Sequence, residues 1–162
     1  GDIMEKTNVM RILEQHKIKY QSYYYGDTSA ISGVEVATAL NQDFRRVFKT
    51  LVTVSNSKKY YVFMLPVNQE LDLKKAAKSV SCKSISMLPS KELLPLTGYV
   101  HGGCSPIGMK KEFLTVIDSS ALEFPTIIFS AGKIGYQVEV AVCDLEHLLH
   151  CQFASVIEGA SL

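Results

Sequence analysis

The sequence predicts an α+β domain with a mixed β-sheet flanked by helices. At least six apolar or β-branched segments are interspersed with four or five helical stripes, without the regular strand–helix–strand alternation of a doubly wound sheet. The 162 residues suit one domain and can bury a core that needs no metal or disulfide. Hydrophobic residues at 47% and charged residues at 20% exclude a disordered, collagenous or coiled-coil chain.

Val9, Ile12, Leu13 and His16 share one helical stripe behind Thr7 or Asn8 as cap, which predicts a first helix over 7–17. The tyrosines at 20 and 23–25 read as a strand. Ser32-x-x-Glu35 is a capping box, opening a helix with Val36, Ala37 and Leu40 inward. Residues 47–54 and 60–65 flank the polar turn 55–59 as a hairpin, and Pro66 ends its second strand. Asp72 is expected to cap a short basic helix over 73–78. A brief strand at 85–88 follows, then a helix opened by Ser90 and broken at Thr97-Gly98. The Gly/Pro-rich stretch 101–108 cannot be regular structure. Strands resume at 114–118, 126–130 and 136–141, a helix begins near Asp144, and the tail to Leu162 is expected to add a short edge strand.

No run of about 18 apolar residues predicts a membrane helix. Gly1-Asp2-Ile3 lacks the pattern of a secretory signal and reads as a tag remnant before Met4, so one domain is expected over 4–162. Cys82, Cys104, Cys143 and Cys151 form no CxxC pair and read as reduced thiols of a cytoplasmic protein. His101 with Cys104, and His147 and His150 with Cys151, lack the spacing of a zinc site, and no metal is expected. Seventeen basic against 16 acidic residues give a formal charge of +1. That excludes a generally basic nucleic-acid binder and leaves room for a local basic groove.

Three segments do not read as packing alone. Lys49 interrupts the apolar run Val47-Phe48-Lys49-Thr50-Leu51-Val52; it either snorkels to water or offers a point charge. Gly102-Gly103-Cys104-Ser105-Pro106 reads as an Ω-loop or as a nest of N–H donors for a phosphate or an oxyanion. Ser130-Ala131-Gly132-Lys133-Ile134-Gly135 follows a strand but lacks the Walker spacing, so it is a small-residue turn rather than an ATP loop. Cys104 near His101 raises a thiol nucleophile, with no third residue to orient the pair.

Together and in this order, these segments resemble the YbaK/EbsC family, free-standing relatives of the editing domain of prolyl-tRNA synthetases. The pattern GG-x-SP-x-G-x-K-K over 102–111 is similar to the branch that deacylates Cys-tRNA(Pro). The resemblance implies a curved mixed sheet with a barrel-like core flanked by helices, and ester hydrolysis without cofactor or metal. It implies a pocket for the aminoacylated 3′ end of tRNA(Pro), and a transient complex with the synthetase. By position it makes Lys49 the key catalytic lysine and places Tyr25, Thr50, Gly102, Gly103, Ser105, Pro106, Ser130 and Gly132 at the substrate. The substrate's own cysteinyl thiol would attack the ester, which leaves Cys104 a bystander. Gln137 and Ile134 depart from the Asp and Arg that relatives commonly carry, so a deacylase for alanine or serine is an alternative, as is a non-catalytic module that binds tRNA or the synthetase. Arg45, Arg46, Lys110, Lys111 and Lys133 are candidates for further phosphate contacts.

Overall fold

The computed structural model describes residues 5–159; the first four residues, including those expected to be a tag remnant, and the last three lie outside that range. Among the described residues are five α-helices: α1 (Asn8–Gln15), α2 (Gly33–Ala39), α3 (Leu73–Ser79), α4 (Ser90–Thr97) and α5 (Val142–Leu148). Eight strands accompany them: β1 (Tyr20–Tyr24), β2 (Phe48–Ser55), β3 (Tyr60–Pro66), β4 (Ile85–Met87), β5 (Thr115–Asp118), β6 (Thr126–Ser130), β7 (Tyr136–Ala141) and β8 (Cys151–Ala154). The expected Thr7 cap and Ser32–Glu35 capping box both form. The Thr7 hydroxyl accepts from the Met10 N–H and the Ser32 hydroxyl from the Glu35 N–H. The Asp72 side chain accepts from the N–H groups of Lys74 and Lys75.

α4 opens at Ser90 as expected, with Pro89 as its N-cap. Three local expectations are corrected. Leu40 is the half-buried C-cap of α2 instead of an inward residue. α5 begins at Val142, whose N–H donates to Pro125 O, so Asp144 lies in the first turn, where its charge suits the helix dipole. Tyr25 follows β1 and is not part of it.

The strands form two sheets, β1-β7-β6 and β4-β2-β3-β5-β8. β2 pairs antiparallel with β3 and β4, whereas β3–β5 and β5–β8 are parallel, so the larger sheet is mixed. The sheets meet at a parallel bridge between Val47 and Ile128, which curves them round a common interior. Phe48, Met64, Ile117, Ile127, Phe129, Val138 and Val140 fill that interior with Val9, Met10 and Leu13 of α1 and Leu145 of α5. The opposite face of the same strands is covered by α2 over Val47 and Ile128 and by α3 over Leu51, Phe63 and Leu65.

A polar clasp holds the seam. Arg46, next to Val47, reaches Thr126 of β6 and pairs with Glu139 of β7 at 3.1 Å. The Thr126 and Tyr23 hydroxyls donate to the same carboxylate at 2.6 and 2.5 Å. Burial alone would raise Glu139, but those two hydrogen bonds and the Arg46 charge leave it below the ordinary glutamate value. Its contribution to stability is therefore present above about pH 4.5 and is lost as pH falls through the depressed folded value. Glu139→Gln is expected to lower stability by about 1–3 kcal/mol at neutral pH. In acid the variant should unfold with a shallower pH dependence than the wild type, read by urea titrations from pH 7 to pH 3; parallel curves would remove Glu139 from the seam's energetics.

Candidate active site

Lys49 sits in a gap between two helix-covered clusters. Strand alternation puts Val47, Lys49 and Leu51 on one face of β2. Val47 packs under α2 and Leu51 under α3, and Lys49 lies between them, half-buried. No carboxylate among the described residues pairs with it. Continuing the Val47–Ile128 register by two residues brings Lys49 level with Ser130, which pairs across β6–β7 with Gln137, itself opposite Tyr23 on β1. The row Lys49–Ser130–Gln137–Tyr23 thus runs across the seam on one face.

Gln137 is buried, and its amide is clasped by Gln42 from the loop after α2. Gln42 Nε2 donates to Gln137 Oε1 at 2.8 Å, and Gln137 Nε2 donates back at 3.3 Å. Gln42 is the residue that sequence reasoning missed: a glutamine in a polar loop carries no periodic or charge signal. The pair is neutral, so the Lys49 charge has no internal counter-ion in its row and stays available to a ligand.

The glycine segments meet at the rim. A Cβ on Gly103 would lie 3.1 Å from the Ile134 backbone N, and one on Gly102 3.7 Å from the Ile134 side chain. The Tyr25 N–H donates to Gly135 O at 2.8 Å, which ties that residue to the same turn. The Ser130 hydroxyl accepts from the Gly132 N–H at 3.1 Å, leaving its own proton to donate. The structure therefore brings Tyr25, Gly102, Gly103, Ser130 and Gly132 together, with Lys49 level with Ser130.

The remaining predicted positions lie differently. Thr50 points to the other face of β2, and its buried Oγ1 has no hydrogen-bond partner. Ser105 is fully buried, its Oγ accepting from the Ile107 N–H at 3.4 Å. Pro106 lines a cleft of about 240 Å³ with Ile12, His16 and His150. A second cleft, about 850 Å³, runs along Lys17–Gln21 with Thr126 and Glu139 and contains none of these residues. It is a wide trough beside the edge strand β1, lined by the charged residues Lys17, Lys19, Glu139 and Asp144, and Lys49 is not among its lining residues.

Not every glycine N–H is free for an oxyanion. The Gly103 N–H donates to Val100 O at 3.0 Å, whereas those of Gly102 and Cys104 have no acceptor among the described residues. Cys104 packs between Val52 and Val62, and burial pushes its thiol up to about 12. A thiol held protonated at neutral pH is a poor nucleophile. Cys104→Ala is expected to keep activity within roughly twofold of wild type in an ester-cleavage assay; complete loss would restore a protein nucleophile.

Of the basic residues expected at phosphates, Arg45 is paired with Asp43 at 2.7 Å, Arg46 belongs to the seam clasp and Lys133 pairs with Glu5. Lys110 reaches Pro95 O at 3.4 Å, and Lys111 is exposed.

Comparison with known proteins adds the following. Residues 28–148 match the family model described as an aminoacyl-tRNA editing domain. A relative in Enterococcus faecalis, named as a candidate Cys-tRNA(Pro)/Cys-tRNA(Cys) deacylase, EbsC, is 46% identical over 153 residues, covering 94% of this chain and 93% of the relative. The fold matches a crystal structure described as a candidate trans-editing enzyme for prolyl tRNA synthetase. The TM-score is 0.81 and the identity 23%, over 98% of this chain and 100% of the other. It also matches a hypothetical protein, APE2540, with a TM-score of 0.84 and 19% identity, over 95% of this chain and 100% of that one.

Proposed function

The chain belongs to the aminoacyl-tRNA editing domain family, and from that premise we propose that it is a deacylase clearing mischarged tRNA(Pro), with Cys-tRNA(Pro) as its main substrate. The observation that carries the reading is Lys49: a half-buried lysine that pairs with no carboxylate among the described residues and lies in the strand row of Ser130 and the neutral Gln137–Gln42 amide pair. The name of the Enterococcus relative supports the substrate. No described helix is long and apolar enough to cross a membrane, in keeping with work on tRNA in the cytoplasm.

In this reading the terminal adenosine enters beside Lys49, whose charge meets its phosphate or the negative charge growing on the ester. The N–H groups of Gly102 and Cys104 are the donors for the carbonyl oxygen, and the Ser130 hydroxyl donates to the ribose. An aminoacyl ester is already activated, so positioning and electrostatics supply much of the acceleration. The thiol of the bound cysteine attacks its own ester carbonyl. A sulfur–carbon bond forms, the carbon–oxygen bond to the ribose breaks, and the thiol proton passes to the leaving oxygen. This chemistry fits a site whose one nearby protein thiol is buried and protonated.

The synthetase is the partner this reading implies, since a small rim site holds little of the tRNA. A second reading, alanine or serine clearance, draws on Gln137, whose neutral amide stands where the resemblance expects Asp. Purified protein incubated with Cys-tRNA(Pro) tests the proposal: the ester should decay well above its spontaneous rate. Decay of Ala-tRNA(Pro) alone would favour the second reading, and decay of neither would end the enzymatic one.

A further inference from the structure

The charges of this chain are segregated. Residues 58–83 hold six lysines against Glu70 and Asp72, a net of +4 that leaves −3 for everything else. Asp72 is engaged, its side chain capping α3 through the N–H groups of Lys74 and Lys75. Lys58, Lys59, Lys74, Lys78 and Lys83 are all exposed, and none pairs with a carboxylate among the described residues.

The fold gathers these five at one end. Lys58 and Lys59 lie on the β2–β3 turn, held by the Ser55 hydroxyl, which accepts from the N–H groups of Ser57 and Lys59. Asn56 of that turn is clasped to Ser84: its N–H donates to Ser84 O at 3.1 Å, and its side-chain oxygen accepts from the Ser84 N–H at 3.2 Å. That clasp sets Lys83 beside the turn. Lys74 and Lys78, one helical turn apart, are on the solvent side of α3, whose Ala76 and Ala77 face the sheet.

The patch shares a face with Lys49. Leu51, on the Lys49 side of β2, packs in the same cluster as Ala76 and Ala77 of α3. From Lys49 to Ser55 the strand runs six residues, about 20 Å at 3.3 Å per residue. Lysines fixed at that distance, on that face and without counter-ions form a track for phosphates leading away from the site.

We propose that Lys58, Lys59, Lys74, Lys78 and Lys83 bind the sugar-phosphate backbone of the tRNA whose 3′ end lies at Lys49, taking up the strand where its unpaired end gives way to duplex. The proposal rests on the deacylase reading for its choice of RNA. It assigns the main backbone contact to α3 and the β2–β3 turn, and away from Arg45, Arg46 and Lys133, which are occupied by carboxylates.

The test changes all five lysines to glutamine, with a second variant carrying arginine at all five and melting curves to confirm folding. Binding of uncharged tRNA(Pro) transcript is measured between about 50 and 200 mM salt. The glutamine variant should bind at least tenfold more weakly at the low-salt end. Its log–log salt slope should be shallower by about one for each lysine engaged, and the arginine variant should bind as wild type. Turnover of a short aminoacylated 3′-terminal oligonucleotide should be unchanged by the glutamine variant, while that of full-length Cys-tRNA(Pro) falls. Unchanged tRNA affinity and slope would overturn the proposal, as would loss of synthetase capture with tRNA affinity intact. If the wild type binds tRNA through this patch but cleaves no ester, the deacylase reading fails and the backbone site stands.

Discussion

Lys49→Ala is expected to lower kcat for Cys-tRNA(Pro) by about 10²–10³-fold, the usual effect of removing one preorganised charge-stabilising donor. Fold stability should hardly change, because the side chain is half-exposed, pairs with no carboxylate among the described residues and sits between the α2 and α3 clusters. Single-turnover deacylation together with melting curves separates the two effects. Lys49→Arg keeps the charge but replaces a compact ammonium with a planar fork that the gap between Val47 and Leu51 did not shape, so it should recover only part of the rate. Full activity in Lys49→Ala would show that the site lies elsewhere, even with the reaction unchanged.

Gly132→Ala should damage both stability and activity. Gly132 has φ +88°, a conformation that L side chains rarely adopt. An added Cβ would lie 2.9 Å from Val9 Cγ2 and 3.0 Å from Tyr99 Cε1. Neither neighbour yields easily: Val9 is fully buried in α1, and the Tyr99 hydroxyl is anchored to Ile107 O at 2.5 Å. Backbone strain and overpacking together cost about 2–4 kcal/mol, a fall in Tm of roughly 4–16 °C for a domain of this size. The turn must move, and with it the Gly132–Ser130 hydrogen bond and the contact with Gly103, so activity should fall further than the unfolded fraction explains. Gly159→Ala is the control. It too has positive φ, +69°, but nothing lies within 4 Å, so only the strain should register.

The legible parts of the fold were those written in local patterns. Ser32-x-x-Glu35 announced α2, the polar run 55–59 announced the hairpin, and Asp72 announced α3. α5 was misplaced by two residues because its start is fixed by a backbone hydrogen bond to Pro125, which no side chain signals. The parallel pairings of β3 with β5 and of β5 with β8 join segments far apart in the chain, and alternation within each strand says nothing of its neighbour. In the site, Lys49 was visible because a charge in an apolar run is costly without a purpose. Gln42 was invisible, since only the folded loop brings it to Gln137. The ion pairs of three phosphate-contact candidates were invisible for a similar reason. Arg45, Arg46 and Lys133 read in sequence as candidates for phosphate contacts, and the fold hands each a carboxylate.

Swapping one atom of the substrate tests the central claim most directly. Cys-tRNA(Pro) and Ser-tRNA(Pro) differ by sulfur against oxygen, nearly the same shape with a far weaker nucleophile in serine. With purified protein and no synthetase present, Cys-tRNA(Pro) should be cleared rapidly while Ser-tRNA(Pro) decays near its spontaneous rate. Equal clearance of both would contradict a mechanism in which the substrate's own thiol attacks the ester.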